Sequence, residues 1–128
     1  MEKTTNALNW FEIPAADFER ARAFYARILD FDMPVMPMGG TMMGFLPHEQ
    51  DKGVGGAIVQ GEGCVPSRDG TTVYLNGGRD LSVVLSRVEA AGGRVLVGKT
   101  AITPEYGFYA HFLDTEGNRV SMLQPERT

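Results

Sequence analysis

Residues 8–29 read LNWFEIPAADFERARAFYARIL, and this stretch decides the fold once its counterpart is found. Leu8–Ile13 is a short apolar-rich run closed by Pro14, as an early strand should be. Asp17 then opens the segment Asp17–Leu29, where Phe18, Ala21, Tyr25 and Ile28 recur at helical spacing. Glu19, Arg20, Arg22 and Arg27 fill the positions between. That pattern is an amphipathic helix with an aspartate N-cap, whose side-chain oxygen takes one of the helix's unpaired N–H groups. Three strand-like runs follow, Met33–Met38, Thr41–Leu46 and Val54–Gln60, punctuated by proline and glycine.

The same order returns further along. Thr71–Asn76 (TTVYLN) reads as a strand, and Asp80 caps a helix with the stripe Leu81, Val84, Val88 and Ala91. Gly92 and Gly93 close that helix, glycine being the residue that best turns a chain out of a C-terminus. Three more strands are predicted at Arg94–Lys99, Tyr106–Leu113 and Asn118–Leu123. The turn 114–118 joins the last two as a hairpin, with Gly117 available for positive φ. The chain is therefore read as α+β, two tandem βαβββ modules forming one domain over residues 1–128. Module one covers about 8–60, the turn-rich segment 61–70 (GEGCVPSRDG) is a linker, and module two covers about 71–124. Each four-stranded sheet has one face under its helix and one concave face. Two such sheets, set side by side or paired across a dimer, make a trough suited to a small molecule.

Composition narrows the function classes. One hundred and twenty-eight residues, 43% hydrophobic and 22% charged, can bury a core without staples. The net charge of −4 is spread along the chain with no block of Lys and Arg, so no nucleic acid partner is expected. The lone cysteine, Cys64, has no internal disulfide partner, which suits a reducing cytosol. The polar opening residues lack the apolar core of a secretion signal, and no apolar run approaches membrane length. A soluble, cytoplasmic protein is expected. One nucleotide-binding pattern is rejected: Gly93–Thr100 (GRVLVGKT) fits G-x-x-x-x-G-K-[ST] letter for letter. That chemistry needs the loop after a strand and before a helix. Here the middle residues are strand-like, and a helix precedes them.

Particular motifs resemble a known family. Phe11-Glu12-Ile13-Pro14, with Asp17–Ala21 and Phe24-Tyr25, is similar to the opening of vicinal-oxygen-chelate (VOC) domains. The segments Val88–Gly93 and Asp114–Val120 resemble that family's second helix end and last hairpin. The resemblance runs from about Asn9 to Pro125. The family includes glyoxalase I, fosfomycin-resistance enzymes, extradiol dioxygenases and bleomycin-binding proteins. It implies the glyoxalase/bleomycin-resistance fold, but no single activity. Its enzymes mostly hold a divalent metal by His, Glu or Gln from strand one, strand four, the first strand of module two and the last strand. Carried onto this chain, the first position is Trp10, and the second lies within Val54–Gln60, where only Gln60 could ligate. The third is Thr72 or Val73, and the fourth is Ser121. An indole with such partners does not hold a divalent ion, so the resemblance implies a domain with no metal and no cofactor.

The remaining polar candidates are few. His48 reads as a solvated loop residue, while His111 shares a strand face with Tyr109 by period two. His111 has two readings, an acid/base lining the trough or a partly buried structural histidine. Glu12 shares a face with Trp10, leaving Phe11 and Ile13 beneath the helix. It is either a handle or acid/base in an apolar trough, or a rim residue paired with Arg119. Met33, Met36, Met38, Met42 and Met43 fall in two adjacent runs and supply an adaptable wall, core filling, or both. The expected function is binding of a small apolar or amphipathic ligand by a homodimer, with Trp10, Glu12, Gln60, Val73, Tyr109 and Ser121 in contact. The alternative is a lyase or isomerase related to lactoylglutathione lyase, acting through Glu12 and His111.

Overall fold

The computed structural model describes residues 1–3 and 5–125. Thr4 and the C-terminal limit expected for the domain at residue 128 lie outside the described residues. Two four-stranded sheets and two helices alternate in the predicted order. Module one runs β1 (Trp10–Pro14), α1 (Phe18–Leu29), β2 (Val35–Met38), β3 (Thr41–Phe45) and β4 (Gly55–Gln60). Module two runs β5 (Tyr74–Asn76), α2 (Leu81–Val88), β6 (Arg94–Ala101), β7 (Phe108–Leu113) and β8 (Arg119–Gln124). The sheets are ordered β1-β4-β3-β2 and β5-β8-β7-β6, with β1 and β5 parallel to their neighbours and the other pairs antiparallel. The tandem βαβββ fold is thus present, and both aspartate caps form: Asp17 Oδ1 accepts from Arg20 N–H and Asp80 Oδ1 from Ser82 N–H.

The differences from the sequence reading are at strand ends. β1 begins at Trp10 and includes Pro14, which an edge strand tolerates because its outer side needs no N–H donor. β5 is only three residues long, since Thr71–Val73 precede its regular pairing. The rejected nucleotide motif forms most of β6, a bulged strand with no helix after it.

Strand alternation divides each sheet into a helix side and an outer side. The helix sides of both sheets belong to one core, in which Ile13, Phe24, Tyr25, Ile28 and Ile58 join Leu75, Leu81, Val88, Phe112, Val120 and Met122. The modules are therefore packed back to back through their helices. Hydrogen bonds cross the same seam. Arg27 Nη1 donates to Ala90 O, Arg87 Nη1 to Ile28 O, and Asn118 Nδ2 to Pro14 O at 2.7 Å. Tyr25 OH donates to the buried Asp114 carboxylate at 2.7 Å. Glu116, its side chain fully buried, takes the Arg20 guanidinium at 2.7 Å and the N–H groups of Ala16 and Asp17.

A matching device closes each module. Gln60, the last residue of β4, accepts the Phe18 N–H on its side-chain oxygen, and Gln124, the last of β8, accepts the Leu81 N–H likewise. Each caps the first turn of its module's own helix, satisfying a donor with no partner inside the helix.

Candidate functional site

The outer side of the first sheet is apolar with one charge. Register puts Trp10 and Glu12 of β1 in line with Gly55 and Ala57 of β4, and Phe45 and Met43 of β3 beyond them. Met36 and Met38 of β2 complete this side. Met43, Ala57 and Val59 form a small cluster here with Phe45 and Cys64 packed on it. The methionines thus divide as alternation requires, for Met33 is buried in the core under α1. Trp10 is 41% exposed and stands edge-on to Phe45, with ring centroids 6.2 Å apart. Its indole N–H donates to Glu12 Oε2 at 3.3 Å. Glu12 does not pair with Arg119, whose Nη2 donates instead to Thr72 Oγ1 at 2.9 Å.

His48 is exposed, as expected of its loop, yet its ring lies against Gly55, where a Cβ would stand 2.5 Å from Cε1. Gly55 is the register partner of Trp10, so the imidazole belongs to this surface. Sequence reasoning missed it because loop polarity gives no sign of where a loop folds back; the glycine beneath was the only signal.

The outer side of the second sheet is polar and aromatic. Tyr74 of β5, Ser121 of β8 and His111 of β7 form one lateral row, with Tyr109 and Leu123 in the next. Ser121 is completely buried and shares a hydrogen bond with His111 Nδ1. The His111 ring packs against Tyr74 and Tyr109 at centroid distances of 6.0 and 5.3 Å. Desolvation, and secondarily the Arg119 charge, hold the His111 pKa below its ordinary value of 6.5. Both effects favour the neutral ring, which is held at Nδ1, and Nε2 has no hydrogen bond among the described residues. In an NMR titration His111 is expected to protonate below 6.5, and Arg119→Gln to move that midpoint upward by removing like-charge repulsion. A midpoint at or above 6.5 contradicts this account.

Two expected contact residues lie on the helix sides. Gln60 spends its amide oxygen on the α1 N-terminus. Val73 packs against the core while Thr72 and Tyr74 face outward, which resolves the third family position in favour of Thr72. The paired modules resolve the second position as well. Ala57 and Ser121 each stand three residues before the capping glutamine of their module, so Ala57 is the counterpart of Ser121. The positions to which the resemblance assigns the family's four ligands are then Trp10, Ala57, Thr72 and Ser121. An indole, a methyl group and two hydroxyls do not make up the set of carboxylate, imidazole or amide donors that holds a divalent ion in this family, so the residues present do not fit one.

Within one chain, Trp10 and Glu12 stand on the first outer side, and Tyr109, His111 and Ser121 on the second. Both sides turn away from the shared core, so a single chain does not bring the two groups together. Two concavities lie at the open edges of β1 and β5. A cleft of about 880 Å³ lies between them, lined by Phe11, Leu29, His48, Val73 and Leu75 among others, and one of about 340 Å³ lies under the linker, lined by Glu12, Val65, Val73 and Arg119 among others.

Solved structures share this architecture. The antibiotic binding protein TnmS3 from Streptomyces sp. CB03234 superposes with a TM-score of 0.67 at 23% identity, over 98% of this chain and 100% of that one. A glyoxalase/bleomycin resistance protein from the same organism gives 0.66 at 24% identity, over 91% and 100%. A V278E mutant of glyoxalase I from Zea mays gives 0.64 at 19% identity, over 98% of this chain but 48% of that one. At these identities the likeness is one of fold. No curated protein matches the chain. The family model described as Glyoxalase/Bleomycin resistance protein/Dioxygenase superfamily matches residues 7–122. With the paired modules, the shared core and this match over nearly the whole chain, the protein belongs to the glyoxalase/bleomycin resistance protein/dioxygenase superfamily.

Proposed function

We propose that the chain is a small-molecule-binding member of the superfamily that works without the usual metal, holding an apolar or amphipathic ligand on its outer sheet surfaces. Trp10 carries this reading. At the family's first ligand position it offers an exposed flat ring beside Phe45 and methionine side chains, with the Glu12 carboxylate as a polar handle. The antibiotic binding described for TnmS3 is in keeping with such a role.

A homodimer is part of the proposal. β1 and β5 are both sheet edges, and open edges in small proteins are usually covered or paired. A second copy laid along them would set the Trp10 surface of one chain against the His111 surface of the other, making one trough from two chains. The protein would act in the cytoplasm, with no nucleic acid or membrane partner; among the described residues no helix is long and apolar enough to cross a membrane. The enzymatic alternative, a lyase or isomerase using Glu12 and His111, draws support from the imidazole held at Nδ1, whose Nε2 has no hydrogen bond among the described residues. It needs the same dimer to bring the two groups together.

One preparation tests both parts. After dialysis against nickel, zinc or manganese, elemental analysis is expected to find no stoichiometric metal, and light scattering a mass twice 14.0 kDa. About one metal per chain, retained at neutral pH, would overturn the metal-free reading. A mass near 14.0 kDa at micromolar concentration would overturn the dimer.

A further inference from the structure

The two outer sides carry opposite charge. On the second sheet, register sets Tyr74 of β5, Arg119 and Ser121 of β8, Tyr109 and His111 of β7 and Arg94 of β6 on the outer side. None of the paired positions on that side holds a carboxylate, although the chain as a whole has a net charge of −4. The first outer side has the Glu12 carboxylate beside Trp10. In a site drawing on both sides, the anionic end of a guest therefore belongs on the second.

Arg119 supplies the charge to receive it. Its Nη2 donates to the neutral Thr72 hydroxyl at 2.9 Å, which steadies the guanidinium, and it forms no ion pair among the described residues. Same-face neighbours along a strand stand about 7 Å apart, so the Arg119 row lies one step from the row of Tyr74, Ser121 and His111. Burial first, and the Arg119 charge second, lower the His111 pKa, so the guanidinium is felt at the ring. That row is aromatic. Tyr74 and Tyr109 approach the imidazole at 6.0 and 5.3 Å, tilted by 61° and 57°, so the three rings are not stacked on one another. The buried Ser121 hydroxyl holds His111 in place at Nδ1. A flat guest can lie against such rings while its carboxylate reaches the guanidinium one step away.

We propose that the outer side of the second sheet selects flat aromatic carboxylates, the carboxylate on Arg119 and the ring against His111, Tyr74 and Tyr109. This rests on the reading of the outer surfaces as a ligand site and names the class of ligand. Arg119 gives the charge selection, Thr72 positions it, and the three rings supply the apolar contact.

Calorimetric titration with 2-naphthoate, 2-naphthylmethanol and 2-naphthylmethylamine tests the assignment. Naphthoate is expected to bind about tenfold or more tightly than the alcohol or the amine. Arg119→Gln should bring naphthoate down to the level of the alcohol and leave the alcohol unchanged, while Arg119→Lys, which keeps the charge, should retain most of the preference. Arg119 is exposed, so heat unfolding of both variants should match the parent. In NMR spectra the His111 ring signals should shift as naphthoate saturates the protein. Equal affinity for the three compounds, no naphthoate binding at millimolar concentration, or His111 signals unmoved at saturation overturns the proposal. Trp10→Ala separates it from the reading on which it rests. Naphthoate binding lost in Arg119→Gln and kept in Trp10→Ala upholds the anion site and removes Trp10 from the function. Binding kept in Arg119→Gln and lost in Trp10→Ala overturns the anion site and leaves the Trp10 surface standing.

Discussion

Asp114→Ala is expected to lower the stability of the fold by about 3 kcal/mol or more, a large share of what a domain of this size possesses. Asp114 Oδ2 accepts from Tyr25 OH and Asn118 Nδ2, while Oδ1 accepts the N–H groups of Glu116 and Asn118. Alanine would leave these donors without their acceptor, and both the Tyr25 hydroxyl and Asn118 are buried away from water. The same carboxylate has a pH signature. Desolvation raises its pKa above the ordinary 3.8, against the opposing hydrogen bonds from Asn118 and Tyr25. In the unfolded chain it ionises more readily than in the fold, so its contribution is fully present below 3.8 and declines as pH rises through the folded value. Asp114→Asn keeps an acceptor for the turn N–H groups but presents an amide to Tyr25. It should therefore cost less than alanine at neutral pH and remove this segment of the pH dependence. Urea midpoints from below pH 3.8 up to neutrality provide the check. An alanine variant within about 0.5 kcal/mol of the parent would show the network to be dispensable.

Trp10→Ala should weaken an apolar aromatic ligand by about tenfold or more, since a stacking ring at the centre of a site dominates its energetics. Anilinonaphthalene sulfonate serves as probe, because its own emission reports binding and needs no indole. The fold should tolerate the change: Trp10 is 41% exposed, and its packing is an edge contact with Phe45. Heat unfolding is expected to move little, while the dye titration shifts markedly. In the parent, quenching of Trp10 emission should follow the same titration curve. Equal dye affinity in parent and variant would place the apolar site elsewhere and remove the support given to the outer surface of the first sheet.

What could be read from residues alone follows the range of each interaction. The helices were legible because Asp17 and Asp80 act on their own next turns, and because the apolar stripes repeat within a few residues. The face of Trp10 and Glu12 was legible because alternation is local. Thr72 and Val73 could not be separated, since a slip of one residue exchanges faces and only pairing with β8 fixes the register. Gln60 looked available because a glutamine near a strand end carries no sign of the helix N-terminus it will cap, many residues earlier. The back-to-back packing was equally hidden. An apolar stripe states that a face is buried, and leaves open whether its cover is the chain's own sheet, the other module or both.

That seam also shapes how the chain reaches its fold. The bonds from Asn118 to Pro14 and from Tyr25 to Asp114 each span most of the sequence. During synthesis, the first half emerges with Phe24, Tyr25 and Ile28 still lacking the Phe112 and Val88 side chains that complete their core. Two look-alike halves therefore do not become two independent folding units. The nascent first module must wait for the second, and its exposed apolar side is the part of this protein most dependent on protection while the ribosome finishes the chain.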